Sequence, residues 1–144
     1  MPKNNKHIKI KLVKTWKNEE IIELYKAGGW WKESYDKSRL DSLIKRSFAF
    51  AIAVDSSTKK AIGMGRILSD GVSDAYLQDI VVLPGYRKKG IGTKIIKFLL
   101  DHCLTQGILW IGLIAEPNQD DFYSSIGFKT MKNYIPMIYQ TEEK

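Results

Sequence analysis

The chain has 144 residues, of which 44% are apolar and 27% charged, and carries a net charge of +7 from 23 Lys and Arg against 16 Asp and Glu. That length predicts one domain, residues 1–144, with a core large enough to need neither disulfides nor metals, and the composition excludes a disordered or fibrous chain. The single Cys103 excludes an internal disulfide and a multi-cysteine metal site.

In chain order, "IKIKLV" (8–13) alternates apolar and cationic residues, the period-two pattern of a half-exposed strand. Asn18 before Glu19 and Glu20 reads as a helix N-cap followed by anions at the positive end of the dipole. Ile21, Ile22 and Tyr25 share one side of that helix, and Gly28-Gly29 stop it. A second helix is expected from about Ser38 to Lys45. "FAFAIAV" (48–54) and "KAIGMGRIL" (60–68) flank a polar turn and predict a hairpin. "SDGVSD" turns into a third strand, "AYLQDIVVL" (75–83), which ends at Pro84-Gly85. From Gly90 to Thr105 the apolar residues fall three or four apart, one face of a helix, with Cys103 on the buried side. "ILWIGLIA" (108–115) is wholly apolar and predicts a central strand buried on both faces. A short helix over 118–126 and one or two strands over 128–139 complete the pattern.

His7 and His102 lie far apart with no ligand spacing, so no metal is expected. No signal-like segment precedes the first strand, and no apolar run approaches the ~20 residues of a membrane span. A cytoplasmic protein with no membrane partner is the expectation. The positive charge suits a solvated surface, a nucleic acid or an anionic small ligand, and its distribution favours the last. Arg87, Lys88 and Lys89 stand together between Gly85 and Gly90, where a strand passes into a helix. The first amides of a helix lack intrahelical partners, and with the dipole they attract anions. A nucleic-acid binder would instead spread its cations over one face with stacking aromatics, so no nucleic-acid partner is expected.

Two nucleotide motifs fail at this loop. Gly85 and Gly90 have the spacing of a phosphate-binding P-loop, but Ile91 and Gly92 replace its Lys and hydroxyl residue. Gly90-Ile91-Gly92 opens a dinucleotide fingerprint, but Ile95 takes the place of the third Gly. The pattern that fits is R-x-x-G-x-G, at Arg87, Gly90 and Gly92, after a strand ending in V-x-P-x-Y. With its flanks, "DIVVLPGYRKKGIGTKII" resembles the coenzyme A pyrophosphate loop of the GNAT superfamily of N-acetyltransferases. "EPNQDDFYSSIGF" (116–128) is similar to that family's later Asn, Tyr and Gly-Phe motif, at Asn118, Tyr123 and Gly127-Phe128. The resemblance covers roughly residues 48–139. The chain also looks like a small group of bacterial members similar to arylalkylamine, serotonin-type, N-acetyltransferases.

The resemblance implies an α/β (α+β) fold. Its mixed, mostly antiparallel sheet would have six to seven strands flanked by about four helices, splayed between the fourth and fifth strands by a bulge. It implies acetyl-CoA as cofactor and direct transfer of the acetyl group to a primary amine. Arg87, Lys88, Lys89, Gly90, Ile91, Gly92 and Thr93 would hold the pyrophosphate, and Ile80, Val81 and Val82 would pair with the pantetheine arm. A backbone amide near Val82 would meet the developing oxyanion. Tyr123 would protonate the leaving thiolate, and Asn118 would bond the coenzyme arm; the plainer readings are a packing aromatic and a helix cap. Asp79 is the preferred base and amine contact, with Asp74 and Glu116 as alternatives and a structural hydrogen bond as the plainer role. Trp30 and Trp31 either line the acceptor pocket or pack the first two helices. The expected partner is a small-molecule amine, and the assembly it allows is a homodimer. The rival reading is a non-catalytic module that senses acyl-CoA.

Overall fold

The computed structural model describes residues 7–141, and the chain forms two compact units, Met1–Leu113 and Ile114–Lys144. The first holds β1 (Ile8–Leu12), α1 (Asn18–Ala27), α2 (Leu40–Arg46), β2 (Ala49–Asp55), β3 (Lys60–Ser69), β4 (Asp74–Val82), α3 (Ile91–Thr105) and β5 (Trp110–Gly112). The second holds α4 (Asp120–Ser124). Short 3₁₀ turns at Lys37–Arg39 and Pro84–Tyr86 lead into α2 and toward α3.

The five strands form one sheet in the order β1-β2-β3-β4-β5. The first four pair antiparallel, and β4 pairs parallel to β5 across the α3 crossover. Every residue of β2 is buried, as its unbroken apolar run predicted. Gly63 and Gly65 turn toward Ile95 and Leu99 of α3. By strand alternation Arg66 turns to the other face, where it shares a carboxylate with Tyr25 of α1. The core is therefore built on both faces of the sheet, from Ile21 and Leu24 of α1 and from Ile95, Ile96, Leu99 and Cys103 of α3. Burial pushes the Cys103 thiol pKa up, as expected for a core thiol. Among the described residues no helix is long and apolar enough to cross a membrane.

Four sequence expectations need correction. Asn18 does not cap α1: Lys17 holds the cap position, and the Asn18 side chain donates to Lys37 O at 3.4 Å. Glu20 instead secures this end, its Oε1 accepting from Trp16 Nε1 at 2.9 Å and from the Ala61 amide of β3 at 2.8 Å. The sheet has five strands among the described residues, not six or seven. β5 is not central: it is three residues long at the end of the sheet, and Trp110 is 41% exposed. Trp110 lies against Tyr76 and folds over Gly112, where a Cβ would sit 2.7 Å from the ring. Lastly, residues 128–139 form no strand. Aromatic and β-branched residues supply a preference for extended backbone, but a strand also needs a partner edge for its amides and carbonyls.

Candidate active site

The site grows out of an irregularity in β4. Met64 pairs with Val81 and Arg66 with Gln78, so Asp79 and Ile80 together oppose Gly65. This is a β-bulge. Asp79 takes the left-handed conformation, φ 59°, that the extra residue demands. Ile80 then drops its side chain onto Gly65, where a Cβ would be 2.4 Å from Ile80 Cδ1. Gly65 exists at this point because nothing larger fits beneath the bulge.

β5 follows β4 only through Asp74, Ala75 and Tyr76. From Leu77 to Val82 the outer edge of β4 has no strand beside it among the described residues, which is the predicted splay between the fourth and fifth strands. Leu83 N–H donates inward to Ile62 O at 2.9 Å. By alternation the Val82 amide faces the open edge.

That edge leads into the cationic loop. Tyr86 Oη donates to Asp55 Oδ2 at 2.6 Å and so fastens the 3₁₀ turn to the end of β2. Bonds from Ser57 and Tyr86 hold the Asp55 carboxyl down at about 2. Lys88 and Gly90 both have positive φ, 63° and 79°. Lys94 N–H is the first to bond back along the helix, to Gly90 O, so the amides of Ile91, Gly92 and Thr93 precede the first helical bond. The Ile91 side chain enters the core, which leaves only its backbone for the loop. Nothing lies within 4 Å of the position a Gly90 Cβ would take. Lys88 and Lys89 are exposed, and Lys89 Nζ sits 5.6 Å from the centre of the Tyr86 ring.

Arg87 behaves differently from its two neighbours. Its Nε donates to Val82 O at 2.8 Å and its Nη2 to Ala27 O at 3.3 Å. The guanidinium therefore ties the end of β4 to the last turn of α1.

Asp79 is held on a single oxygen. Tyr25 Oη donates to Oδ2 at 2.8 Å, and Arg66 Nε donates to the same atom at 2.6 Å. Burial, reinforced by the Asp79 charge, raises the Tyr25 pKa and keeps the phenol a donor. Tyr25 also meets Trp30 edge to face at 6.2 Å, which places that indole one contact from Asp79. Gly28 allows this, since a Cβ there would lie 2.5 Å from the Trp30 ring. Trp31 packs against Tyr35, with its Nε1 buried and unbonded. Asp70, by contrast, spends its oxygens on Val72, Ser73 N and Ser73 Oγ, so Ser69-Asp70-Gly71 is a self-contained turn.

In the second unit Tyr123 sits in α4 between the rings of Phe122 and Phe128, at 5.1 and 5.8 Å. Burial, then the Glu116 charge, raises its pKa, so it remains protonated at neutral pH. Asn118 has φ 67°, a conformation Asn tolerates, and α4 has no side-chain cap. Among the described residues no cluster of His, Cys, Asp and Glu could hold a metal ion.

Sequence reasoning named the loop and the bulged strand but missed Tyr25, Arg66, Gly65 and the Tyr86–Asp55 tether. Two of these had a visible signal. Glycine inside an apolar strand marks a bulge or a close approach, and a lone arginine there requires a buried partner.

A splayed sheet, a bulged fourth strand and a glycine loop opening a long helix are the features that the sequence resemblance implied. The family model for the acetyltransferase (GNAT) family matches residues 10–128, and the chain belongs to that family. It is 32% identical to the chloroplastic GCN5-related N-acetyltransferase 2 of Arabidopsis thaliana over 79% of this chain and 45% of that protein. It is also 32% identical to the chloroplastic serotonin N-acetyltransferase 2 of Oryza sativa subsp. japonica, over 53% of this chain and 38% of that one. The chain thus spans about half the length, or less, of these curated relatives. A solved GNAT-family acetyltransferase from Streptococcus pneumoniae superposes with a TM-score of 0.76 at 28% identity, covering 94% of this chain and 98% of that one.

Proposed function

We propose that this protein transfers an acetyl group from acetyl-CoA to a primary amine by direct transfer between two bound substrates. The observation that carries the reading is the continuous run from the bulge at Asp79, along the open edge of β4, into the left-handed Gly90 that starts α3. The residues present fit the coenzyme. An unpaired strand edge suits an amide-bearing arm. Amides at a helix start, open space at Gly90 and two exposed lysines suit a pyrophosphate.

Ile80, Val81 and Val82 would hold the pantetheine arm, and residues 87–93 the pyrophosphate. In Arg87 the backbone serves this role while the side chain braces the strand. Bound acetyl-CoA would supply an activated acetyl thioester. The Val82 amide, turned to the open edge, donates to a carbonyl oxygen placed there. Asp79 keeps Oδ1 clear of the bonds on Oδ2 and accepts a hydrogen bond from the amine. By the family resemblance Tyr123, a protonated phenol, would give the proton from Oη to the leaving thiolate, and Asn118 would bond the coenzyme arm. Trp30 and Trp31 shape an aromatic or apolar side of the amine site. The serotonin-type relative supports an arylalkylamine among the first amines to try.

A cytoplasmic setting and a homodimer belong to the same proposal. The motive for the dimer is the run Tyr134, Ile135, Met137, Ile138 and Tyr139, exposed by 73–88%, more contiguous apolar surface than scattered surface residues provide.

The test is thiol release from acetyl-CoA across a panel of amines, with coenzyme binding measured by calorimetry, for wild type and Tyr123→Phe. The expected result is turnover with at least one amine and a kcat about 10²–10⁴ lower in the variant, with coenzyme affinity kept. Tight coenzyme binding without turnover on any amine would point instead to a sensor of acyl-CoA. Absence of coenzyme binding would refute the cofactor.

A further inference from the structure

The half-buried group around Asp79 is larger than an amine contact requires. Arg66 reaches Asp79 Oδ2 with Nε at 2.6 Å, Gln78 Oε1 with Nη2 at 3.3 Å, and Ser47 Oγ with Nη1 at 3.4 Å. Ser47 Oγ in turn donates to Leu43 O at 2.7 Å. One guanidinium therefore holds the two residues at the entrance of the bulge and anchors them to the end of α2. The Arg66 and Asp79 side chains are only 15% and 21% exposed.

The last turn of α1 touches this strand and the loop that follows it. Tyr25 bonds Asp79 at the start of the bulge, and two residues later Ala27 O accepts from Arg87 at the loop. Arg87 also holds Val82 O. A single helical turn thus spans both ends of the segment 79–87, which links the strand edge and the loop assigned above to the coenzyme.

An ion pair shielded from water is a weak source of stability, because desolvation offsets much of its attraction. Backbone conformation does not require it either, since Gly takes φ near +60° without cost. What a planar fork and a phenol on one carboxylate do supply is a fixed geometry.

We propose that Tyr25 and Arg66 are positioning residues for acetyl transfer, acting through Asp79 to brace the bulge so that the open edge of β4 keeps its spacing from the Gly90 loop. The inference rests on the function proposed above, but its first test does not. Without the brace, Asp79 swings and the bulge slides along Gly65. The ladder bond from Leu83 to Ile62, just past the bulge, then opens more often.

Amide hydrogen exchange on the coenzyme-free protein reads this directly. In Tyr25→Phe the Leu83 amide is expected to exchange about tenfold faster, while amides in β2 keep their rates. Arg66→Lys gives the same pattern, because one ammonium cannot reach Gln78, Asp79 and Ser47 together. Unchanged Leu83 exchange in both variants overturns the brace, whatever the protein is found to bind.

The second arm is a cycle with Asp79→Gly, which tolerates the left-handed backbone. Tyr25→Phe alone is expected to weaken coenzyme binding about tenfold, consistent with the loss of one bond to a charged group, and to raise KM for the amine as Asp79 shifts. In the Asp79→Gly background the same substitution changes nothing further. Equal loss in both backgrounds would show that Tyr25 acts elsewhere and would sink the proposal. If wild type binds no coenzyme, the proposed function fails on its own, and the exchange arm still decides the brace.

Discussion

Gly65→Ala tests the packing under the bulge without touching any polar group. The new Cβ would lie 2.4 Å from Ile80 Cδ1 and 3.1 Å from both Ile95 Cγ2 and Leu99 Cδ1. Carbon atoms rest comfortably at roughly 3.5–4.0 Å. The tip of Ile80 can swing, but Ile95 and Leu99 are wholly buried and cannot withdraw together. Overpacking of this kind costs ~1–3 kcal/mol. Gly65 is not in the left-handed region, so alanine recovers about 0.5–1 kcal/mol of unfolded-chain entropy. The net loss is about 1.5 kcal/mol, a fall in Tm of about 4–6 °C for a chain of this size, measured by circular dichroism and urea denaturation. Ile80→Val in the same background removes the nearest atom and should restore roughly half of the loss, although Ile→Val by itself ordinarily costs ~0.5–1.5 kcal/mol. A Gly65→Ala protein as stable as wild type, or one that Ile80→Val only weakens further, would refute the account of why glycine stands opposite the bulge.

Gly90→Asp, which places an anion and a Cβ on the pyrophosphate face, is expected to abolish coenzyme binding in calorimetry. Gly90→Ala, meeting open space at φ 79°, should cost about 1–2 kcal/mol of stability from backbone strain alone; equal affinity in Gly90→Asp and wild type would contradict the cradle. Acid should unfold the protein in a defined window. Asp55 and Asp70 are both held near 2, below the ordinary 3.8, by hydrogen bonds to their charged forms. A depressed carboxyl contributes stability that is complete above its unfolded pKa and is lost as pH falls toward the folded one. Tm should therefore be flat above about pH 5 and drop between about pH 4 and 2, with a shallower drop in Asp55→Asn; an unchanged slope in that variant would count against the Tyr86–Asp55 tether. Light scattering is expected to give twice the 16.5 kDa chain mass, reverting to one chain when Ile135 and Ile138 are both changed to Asp. A wild-type monomer across micromolar concentrations would exclude the dimer.

The sequence by itself determined the elements whose signal is local. β2 is a strand because its apolar run is unbroken, and α3 is a helix because Ile91, Ile95, Leu99 and Cys103 recur on one face. The loop at 87–93 was legible because glycine spacing and adjacent cations carry their chemistry in the chain itself, and the family followed from those residues and the later Asn118–Tyr123 motif. The tertiary structure decided everything that depends on a partner distant in sequence. Residues 128–139 read as one or two strands, yet none of them is in a strand. "ILWIGLIA" reads as central, yet only Trp110–Gly112 pairs, at the end of the sheet. Asp79 read as a base or amine contact with two alternatives. Its position at the bulge, with Arg66 from β3 and Tyr25 54 residues earlier on one oxygen, arises from strand register and helix packing. Periodicity reports which face a residue prefers; only the folded sheet says what stands opposite it.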